Sequence, residues 1–387
     1  ENTANILTME NDQTDYSRSS PKKKSGFFND LKQQRITAWK LRYTESSVSP
    51  VFIGYGAFLV ALGIAVLLVS SNNSSDIKEF KIDYTFCANV ANVSVTCAEY
   101  IQNPQIWSME NFQICQCKVQ FELTKPMKGD KIYIYYALEN FHQNLRKYVK
   151  SKDDDQLLGL IGSSEQPAEP VKDCQPFDRD DNGTIIFPCG AVANSMFNDS
   201  IQLYYEHDLQ GDVPIVQRRR GIAWSTDVGY KFKNPPEFYN KSHPIWGRFT
   251  KPKDWNRTIW DLDDSDPENN GMENEDFMVW MRTAAFSKFR KMYRIIDTAS
   301  QDILETGLPA GTYHLKINYT YEVTSFQGTK GIVLTAPTIF GQQNMFQGIF
   351  SISLGGISLV LGLLFLLCGY TCRHGKGSFT KSNVVMD

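Results

Sequence analysis

The sequence predicts a two-span α-helical membrane protein with a large, β-rich, disulfide-bonded ectodomain of the α+β class. Three observations carry that prediction. Val51–Val69 and Gly348–Tyr370 are uncharged apolar runs of 19 and 23 residues, each long enough to cross a hydrocarbon core of about 30 Å as a helix. All eight Asn-x-Ser/Thr acceptors lie between the runs, at Asn72, Asn73, Asn92, Asn182, Asn198, Asn240, Asn256 and Asn318, and so do six of the eight cysteines. The same stretch is rich in Tyr, Phe and Trp in alternating segments, the composition of half-buried strands.

The runs divide the 387 residues into five parts. These are an N-terminal tail (1–50), a first span (51–69), an ectodomain (70–347), a second span (348–370) and a C-terminal tail (371–387). Lys32, Arg35, Lys40 and Arg42 precede the first span, and Arg373, Lys376 and Lys381 follow the second. The positive-inside rule therefore places both termini in the cytoplasm. Sequons and paired cysteines place the intervening loop in an oxidising compartment. Both arguments describe an integral membrane protein of the endoplasmic reticulum, the Golgi or endosomes, or the plasma membrane. The polar tail makes the first span an uncleaved signal anchor. A net charge of −3 offers no footprint for nucleic acid. A mean hydropathy of −0.35 excludes a multi-span transporter. Neither span carries the ionisable residue that a proton relay needs.

Along the chain, the tail is polar up to residue 30, with a basic Pro21–Lys24 run that reads as solvated or as a contact to anionic lipid. Phe27–Tyr43 interleaves Phe28, Leu31, Ile36, Trp39 and Leu41 with Lys and Arg. That pattern suits an amphipathic segment on the inner leaflet, with Trp39 at headgroup level. Pro50 sits where the first span should begin. Ala57, Ala61 and Ala65 share one face of that span, and Ser351/Gly355 and Ser358/Gly362 form a second small-residue stripe. Such stripes let backbones approach closely, packing the spans either together or against another membrane protein. In the ectodomain, strands are expected at Phe80–Phe86, Lys118–Leu123, Lys131–Ala137, Ile201–Tyr205, Thr312–Val323 and Gly331–Thr335. Thr124–Asp130 connects two of them. Helical spacing marks Leu138–Val149 and Phe277–Ile296, and Pro235–Asn270 reads as a long irregular arm.

Cys174 and Cys189 form an isolated pair, whose bridge is worth about 3 kcal/mol in the chain-entropy model. The cluster Cys87, Cys97, Cys115 and Cys117 allows three pairings. A direct Cys115–Cys117 bond would close a strained ring. The nested pairing, Cys87–Cys117 with Cys97–Cys115, is favoured; the crossed one stays open. A zinc site suits the cluster poorly, because it has no Cys-x-x-Cys knuckle. Cys368 and Cys372 lie at the cytoplasmic end of the second span, as reduced thiols or palmitoyl acceptors.

The chain nominates no catalytic residue, metal or cofactor. Asp178–Gly183 resembles the first half of a calcium loop, but its twelfth position is Cys189. Asp261–Glu268 is acidic without ligand spacing. The five histidines form no metal-type pair, and neither a nucleophile elbow nor a phosphate loop occurs. Trp224 and Trp280 read as core residues.

A set of blocks in fixed order remains. Leu31-Lys-Gln-Gln-Arg-Ile-Thr-Ala-Trp39 comes first. Tyr135-Tyr-Ala-Leu-Glu-Asn-Phe-His-Gln-Asn144 follows, running into Arg146-Lys-Tyr-Val-Lys-Ser-Lys-Asp-Asp154. Pro188-Cys-Gly-Ala-Val-Ala-Asn-Ser-Met-Phe-Asn-Asp-Ser200 is the sharpest, then Gly221-Ile-Ala-Trp224. Asn274-Glu-Asp-Phe-Met-Val-Trp-Met-Arg-Thr-Ala-Ala285, Phe289-Arg-Lys-Met-Tyr293 and Leu308-Pro-Ala-Gly-Thr-Tyr313 complete the set. From about Leu31 to Phe350 the chain thereby resembles the accessory (β) subunits of type IV P-type ATPases, the phospholipid flippases. The resemblance implies an antiparallel β-sandwich-like ectodomain with helical and arm-like insertions, and nested bridges plus one separate bridge. It also implies a non-catalytic subunit in a heterodimer with the ATPase, needed for its folding, its exit from the endoplasmic reticulum and its lipid transport. Here Gly341-Gln-Gln-Asn344 replaces a more usual Gly-Gly-Lys-Asn, and His142 and Leu145 stand where Tyr and His are common. The partner-contact candidates on this reading are Trp39, Ala57, Ala61, Ala65, Gly355 and Gly362. The rival readings are a stand-alone surface glycoprotein receptor and a membrane-tethered ectoenzyme.

Overall fold

The computed structural model describes residues 45–70, 76–102, 114–207, 211–337 and 345–378, together with Lys32. Trp39 and its segment, Asn72, Asn73, the basic run near residue 22 and the 341–344 departure lie outside the described residues. The described chain divides into two compact units, Tyr55–Ile357 and the outer ends of the two long helices.

Helix α1 is Glu45–Ser70, with Pro50 inside it; it starts five residues before the proline expected to open it. Strand β1 (Glu79–Asp83) and helix α2 (Cys97–Gln102) follow. Then come β2 (Cys115–Leu123), β3 (Met127–Lys128) and β4 (Lys131–Glu139). An insertion carries α3 (Arg146–Lys150), α4 (Asp154–Leu157), β5 (Ile185–Ile186) and α5 (Ala191–Asn194). Strands β6 (Ser200–His207) and β7 (Gly211–Pro214) form a hairpin. The arm at 235–270 holds only 3₁₀ turns and the two-residue β8 (Phe249–Thr250). Helix α6 (Glu275–Met281), β9 (Phe289–Asp297), β10 (Gly307–Leu308), β11 (Gly311–Tyr319) and β12 (Thr329–Thr335) complete the ectodomain. Helix α7 is Met345–Ser378.

Two four-stranded antiparallel sheets, β1-β12-β4-β9 and β2-β11-β6-β7, form the core. In β4, Ile132, Ile134, Tyr136 and Leu138 are buried at every second position, the period of a strand with one face inward. Residues of β11 do the same with Tyr313, Leu315, Ile317 and Tyr319. The inner faces meet through rings: Phe80 on β1 lies 5.3 Å from Phe121 on β2, and Tyr84 lies 6.3 Å from Tyr319. Three disulfides close the ectodomain, Cys87–Cys117, Cys97–Cys115 and Cys174–Cys189.

Two expected helices differ. Leu138–Val149 is helical only over Arg146–Lys150. Pairing to both β12 and β9 holds Leu138 in a strand, and Asn140, at φ 62°, turns the chain. Phe277–Ile296 is helix only as far as Met281, and Phe289–Asp297 is a strand. A register shift against Ile134/Tyr135 buries Tyr293, Arg294, Ile295 and Ile296 in succession. The bulge breaks the period of two, and the leftover spacing imitates a helix.

Both long helices contain stretches long and apolar enough to cross a membrane, Ser47–Ser70 (24 residues) and Met345–Cys372 (28 residues). The two-span, β-rich architecture expected from the sequence is the one observed.

Candidate partner interface

The long helices meet along a seam of small residues. On α7 the buried positions are Gly348, Ser351, Gly355, Ser358 and Gly362, alternating steps of three and four. That is the heptad spacing of helices crossing at a shallow angle. A Cβ on Gly355 would lie 2.8 Å from the Gly56 carbonyl oxygen, and one on Gly63 would lie 2.8 Å from that of Gly348. Toward the outer ends, the Ser49 hydroxyl donates to the Gly362 carbonyl (2.8 Å) and the Ser358 hydroxyl to that of Phe52 (2.9 Å). Gly355 and Gly362 therefore face α1 of the same chain and are not free for a partner, a correction to the sequence reading. The reason is steric, since only glycine admits such backbone approach. Ala57, Ala61 and Ala65 fall on the opposite face of α1 and are exposed, beside exposed Phe58, Ile64 and Leu68.

In the ectodomain, the blocks that define the family resemblance interlock. The indole N–H groups of Trp280 and Trp255 donate to the carbonyls of Val192 (2.6 Å) and Ala193 (2.8 Å) on α5. Gly190, at φ 100°, precedes that helix; a Cβ there would lie 2.2 Å from the Ser151 carbonyl oxygen, so only glycine fits. Asn274 caps α6 by accepting from the Phe277 N–H (3.0 Å). Next to it, the Glu275 carboxylate accepts the N–H groups of Gly221 (2.9 Å), Ile222 (2.7 Å) and Ala223 (2.8 Å). One buried acid thus fixes the whole Gly221–Ala223 turn.

That clasp presents Trp224, which is 64 % exposed, whereas Trp280 is fully buried. The core reading holds for Trp280 and fails for Trp224. The Arg282 guanidinium lies 4.3 Å from the Trp224 ring centroid and pairs with Asp227 through two nitrogens, at 3.1 and 2.9 Å. Val228 and Tyr230 are exposed on the same turn. The sequence holds one sign of this platform: Trp224 is followed by Ser-Thr-Asp, a poor context for a core strand.

A second feature the sequence reading missed is the buried pair Lys330–Asp199. The Lys330 ammonium, on β12, lies 2.6 Å from Asp199, just before β6, and both side chains are wholly buried. Asp199 also accepts from the Tyr84 hydroxyl (2.9 Å) and from the N–H groups of Thr320 and Tyr321 (both 2.7 Å). Lys330 further donates to the Tyr321 carbonyl and lies over the Tyr319 ring. Burial lowers Lys330 to about 8, against the opposing pull of Asp199. Its signal was phase: Lys330 shares strand parity with buried Ile332 and Leu334. Lys291 is buried too and lowered by burial, its ammonium held by the Trp280 carbonyl (2.5 Å).

Of the described sequon asparagines, Asn92, Asn182, Asn198, Asn240 and Asn256 are exposed and Asn318 is half-buried. Cys368 and Cys372 are unbonded and exposed. In the calcium-like segment, the Asp180 carboxylate is taken up by the N–H groups of Asn182 (3.0 Å) and Thr184 (2.7 Å). Glu206, Asp212 and His314 gather on the outer face of the second sheet. Glu206 faces Nδ1 of the imidazole (3.2 Å) and Asp212 faces Nε2 (3.5 Å). Lys118, 3.6 and 3.5 Å from the two acids, already supplies a cation.

Two membrane-length helices packed on each other and an ectodomain closed by three disulfides are the frame of this chain. Comparison with known proteins specifies the class. Residues 67–374 match the model of the LEM3 (ligand-effect modulator 3) family / CDC50 family. Cell cycle control protein 50A of Bos taurus is 39 % identical over 351 residues, covering 90 % of each chain. Cell cycle control protein 50B of Homo sapiens is 38 % identical over 336 residues, covering 87 % of this chain and 91 % of that one. ALA-interacting subunit 3 of Arabidopsis thaliana is 33 % identical over 337 residues, covering 87 % and 83 %. The chain belongs to the LEM3/CDC50 family, the accessory (β) subunits of type IV P-type ATPases.

Proposed function

We propose that this chain is the non-catalytic subunit of a heterodimer with a phospholipid-translocating type IV P-type ATPase. It serves that enzyme's folding, its exit from the endoplasmic reticulum and its lipid transport. The family match over residues 67–374 carries this reading. The exposed alanine row on α1 supports it: the seam with α7 uses other residues, and a small-residue row is what a further helix needs for close approach. The termini lie in the cytoplasm, the ectodomain is lumenal or extracellular, and the ATPase is held at several separate places. Modest contacts at the cytoplasmic segment with Trp39, the α1 face and the ectodomain then add through effective concentration. To raise turnover, the subunit must bind some transport states more tightly than others.

Mass spectrometry of the complex, purified from its own membranes in mild detergent, tests the reading. A near-stoichiometric type IV P-type ATPase is expected. Recovery of this chain alone, folded and correctly delivered, would favour the stand-alone receptor instead.

A further inference from the structure

Three of the six described sequon asparagines, Asn198, Asn256 and Asn318, line one cavity of about 250 Å³. The size falls just under the range of about 300–1,000 Å³ typical of drug-sized ligand sites, so it suits one sugar ring and not a lipid. Its walls combine the rings of Tyr136, Phe197 and Trp255 with Arg219, Arg294 and Asp276. Two of the three arginines in the lining are matched to carboxylates, Arg294 to Asp276 at 2.5 Å and Arg219 to buried Asp263 at 3.0 Å, and the third, Arg257, donates to the backbone carbonyls of Asp261 (3.4 Å) and Leu262 (3.3 Å). The walls therefore offer aromatic faces and polar groups that are largely paired among themselves. At Arg219 and Arg294 an anion would have to displace a carboxylate; a neutral polyhydroxylated ligand would not.

The geometry points to the protein-proximal N-acetylglucosamine of the glycan on Asn198 as the occupant of this cavity. Asn198 is the best-held acceptor of the three. Phe197 before it is buried and stacked 4.2 Å from Tyr136, and Asp199 after it is the buried partner of Lys330. The Thr320 hydroxyl donates to the Asn198 backbone carbonyl (2.8 Å) and to its side-chain Oδ1 (3.1 Å). That hydrogen bond orients the amide, whose Nδ2 is the atom a glycan joins. A sugar tethered at a fixed rim enters the adjoining cavity at high effective concentration. The inference rests on glycosylation at Asn198 and is independent of the ATPase assignment.

Site-resolved release by peptide N-glycosidase F tests it, because that enzyme must reach the first sugar. The full-chain glycoprotein in mild detergent is compared with the same protein denatured. If the sugar leaves the cavity only a small fraction of the time, native release at Asn198 falls about tenfold below that at Asn92 and Asn182. Denaturation removes the difference. Met196→Trp, which adds bulk to the cavity wall and leaves the sequon intact, is expected to bring native release at Asn198 up to the Asn92 rate. Equal native rates in the wild type, or an unoccupied Asn198, overturn the inference without any variant. So does protection at Asn198 that disappears in Asn256→Gln, which would trace it to crowding by a neighbouring glycan.

Discussion

Where α1 meets α7 the contacts are Gly56, Gly63, Gly355 and Ser358; where the two sheets meet they are Phe80, Phe121, Tyr84 and Tyr319, with Lys330–Asp199 among them. The first interface is made by removing side chains and the second by filling space with large ones. The difference follows from the solvent. Lipid tails are as apolar as leucine, so helices in a bilayer gain from close backbone packing and short hydrogen bonds rather than from hiding apolar area. In water the same area is the main driving force, and rings supply most of it per residue. A buried charge is tolerated inside the sandwich when its partners are present, as they are around Asp199.

The largest break in this comparison is expected at that ion pair. Asp199→Asn leaves the Asn198 sequon intact but strands the Lys330 charge among rings. Removing one partner of a buried pair costs about 3–5 kcal/mol. The full chain should melt markedly earlier in detergent and be retained inside the cell. An unchanged melting temperature would mean that the rings alone hold the sheets. Lys330→Met should cost less, because Asp199 keeps two N–H donors and the Tyr84 hydroxyl.

The same contrast explains what the sequence disclosed. Apolar runs, sequons and positive flanks are local signals, so both spans were legible, with the helices beginning a few residues earlier than expected. Regular strands were legible, as Lys131–Ala137 within β4, because one face is buried at a fixed period. Phe289–Asp297 was misread because a bulge, set by the strand beside it, destroys that period. Trp224 and Trp280 sit in equally recognisable blocks, yet one is exposed and one buried. That outcome depends on Glu275, more than fifty residues from the turn it holds. The small-residue stripes were visible, but which of them faces inward was not, since Ala57, Ala61 and Ala65 have the same spacing whichever way the helix is rotated.

Substitutions on the two faces of the helix pair separate its inner and outer roles. Gly355→Leu forces side-chain atoms into the Gly56 carbonyl and the Val60 backbone, and overpacking of this kind costs about 1–3 kcal/mol. Lower thermal stability is expected even without any partner. Ala61→Leu points outward, so it should change the stability of the isolated chain by no more than about 0.5 kcal/mol. On the proposed function it lowers the amount of ATPase recovered with the chain. If Ala61→Leu leaves recovery untouched, the α1 face is lipid-exposed and docking lies elsewhere.

The smallest effect is expected outside the sandwich, where charge meets water again. His314 stacks 4.9 Å from Tyr204 and lies between Glu206 and Asp212, with Lys118 alongside and the Gln120 amide on Glu206. Burial, helped by the Lys118 charge, lowers the imidazole below its ordinary value of 6.5, and the two acids only partly oppose this. The folded state therefore binds the proton less readily than the unfolded chain. The group's contribution is complete above pH 6.5 and is lost as pH falls through the folded value. For so partly screened a cluster the loss amounts to about 1 kcal/mol or less. Melting temperatures measured from pH 7 to pH 5 should fall in the wild type and fall less steeply in His314→Asn. A wild type that instead gains stability on acidification would show that the imidazolium, bridging both carboxylates, outweighs its burial. The outer face would then obey the rule of the inner one, where a fully partnered charge holds the sheets together.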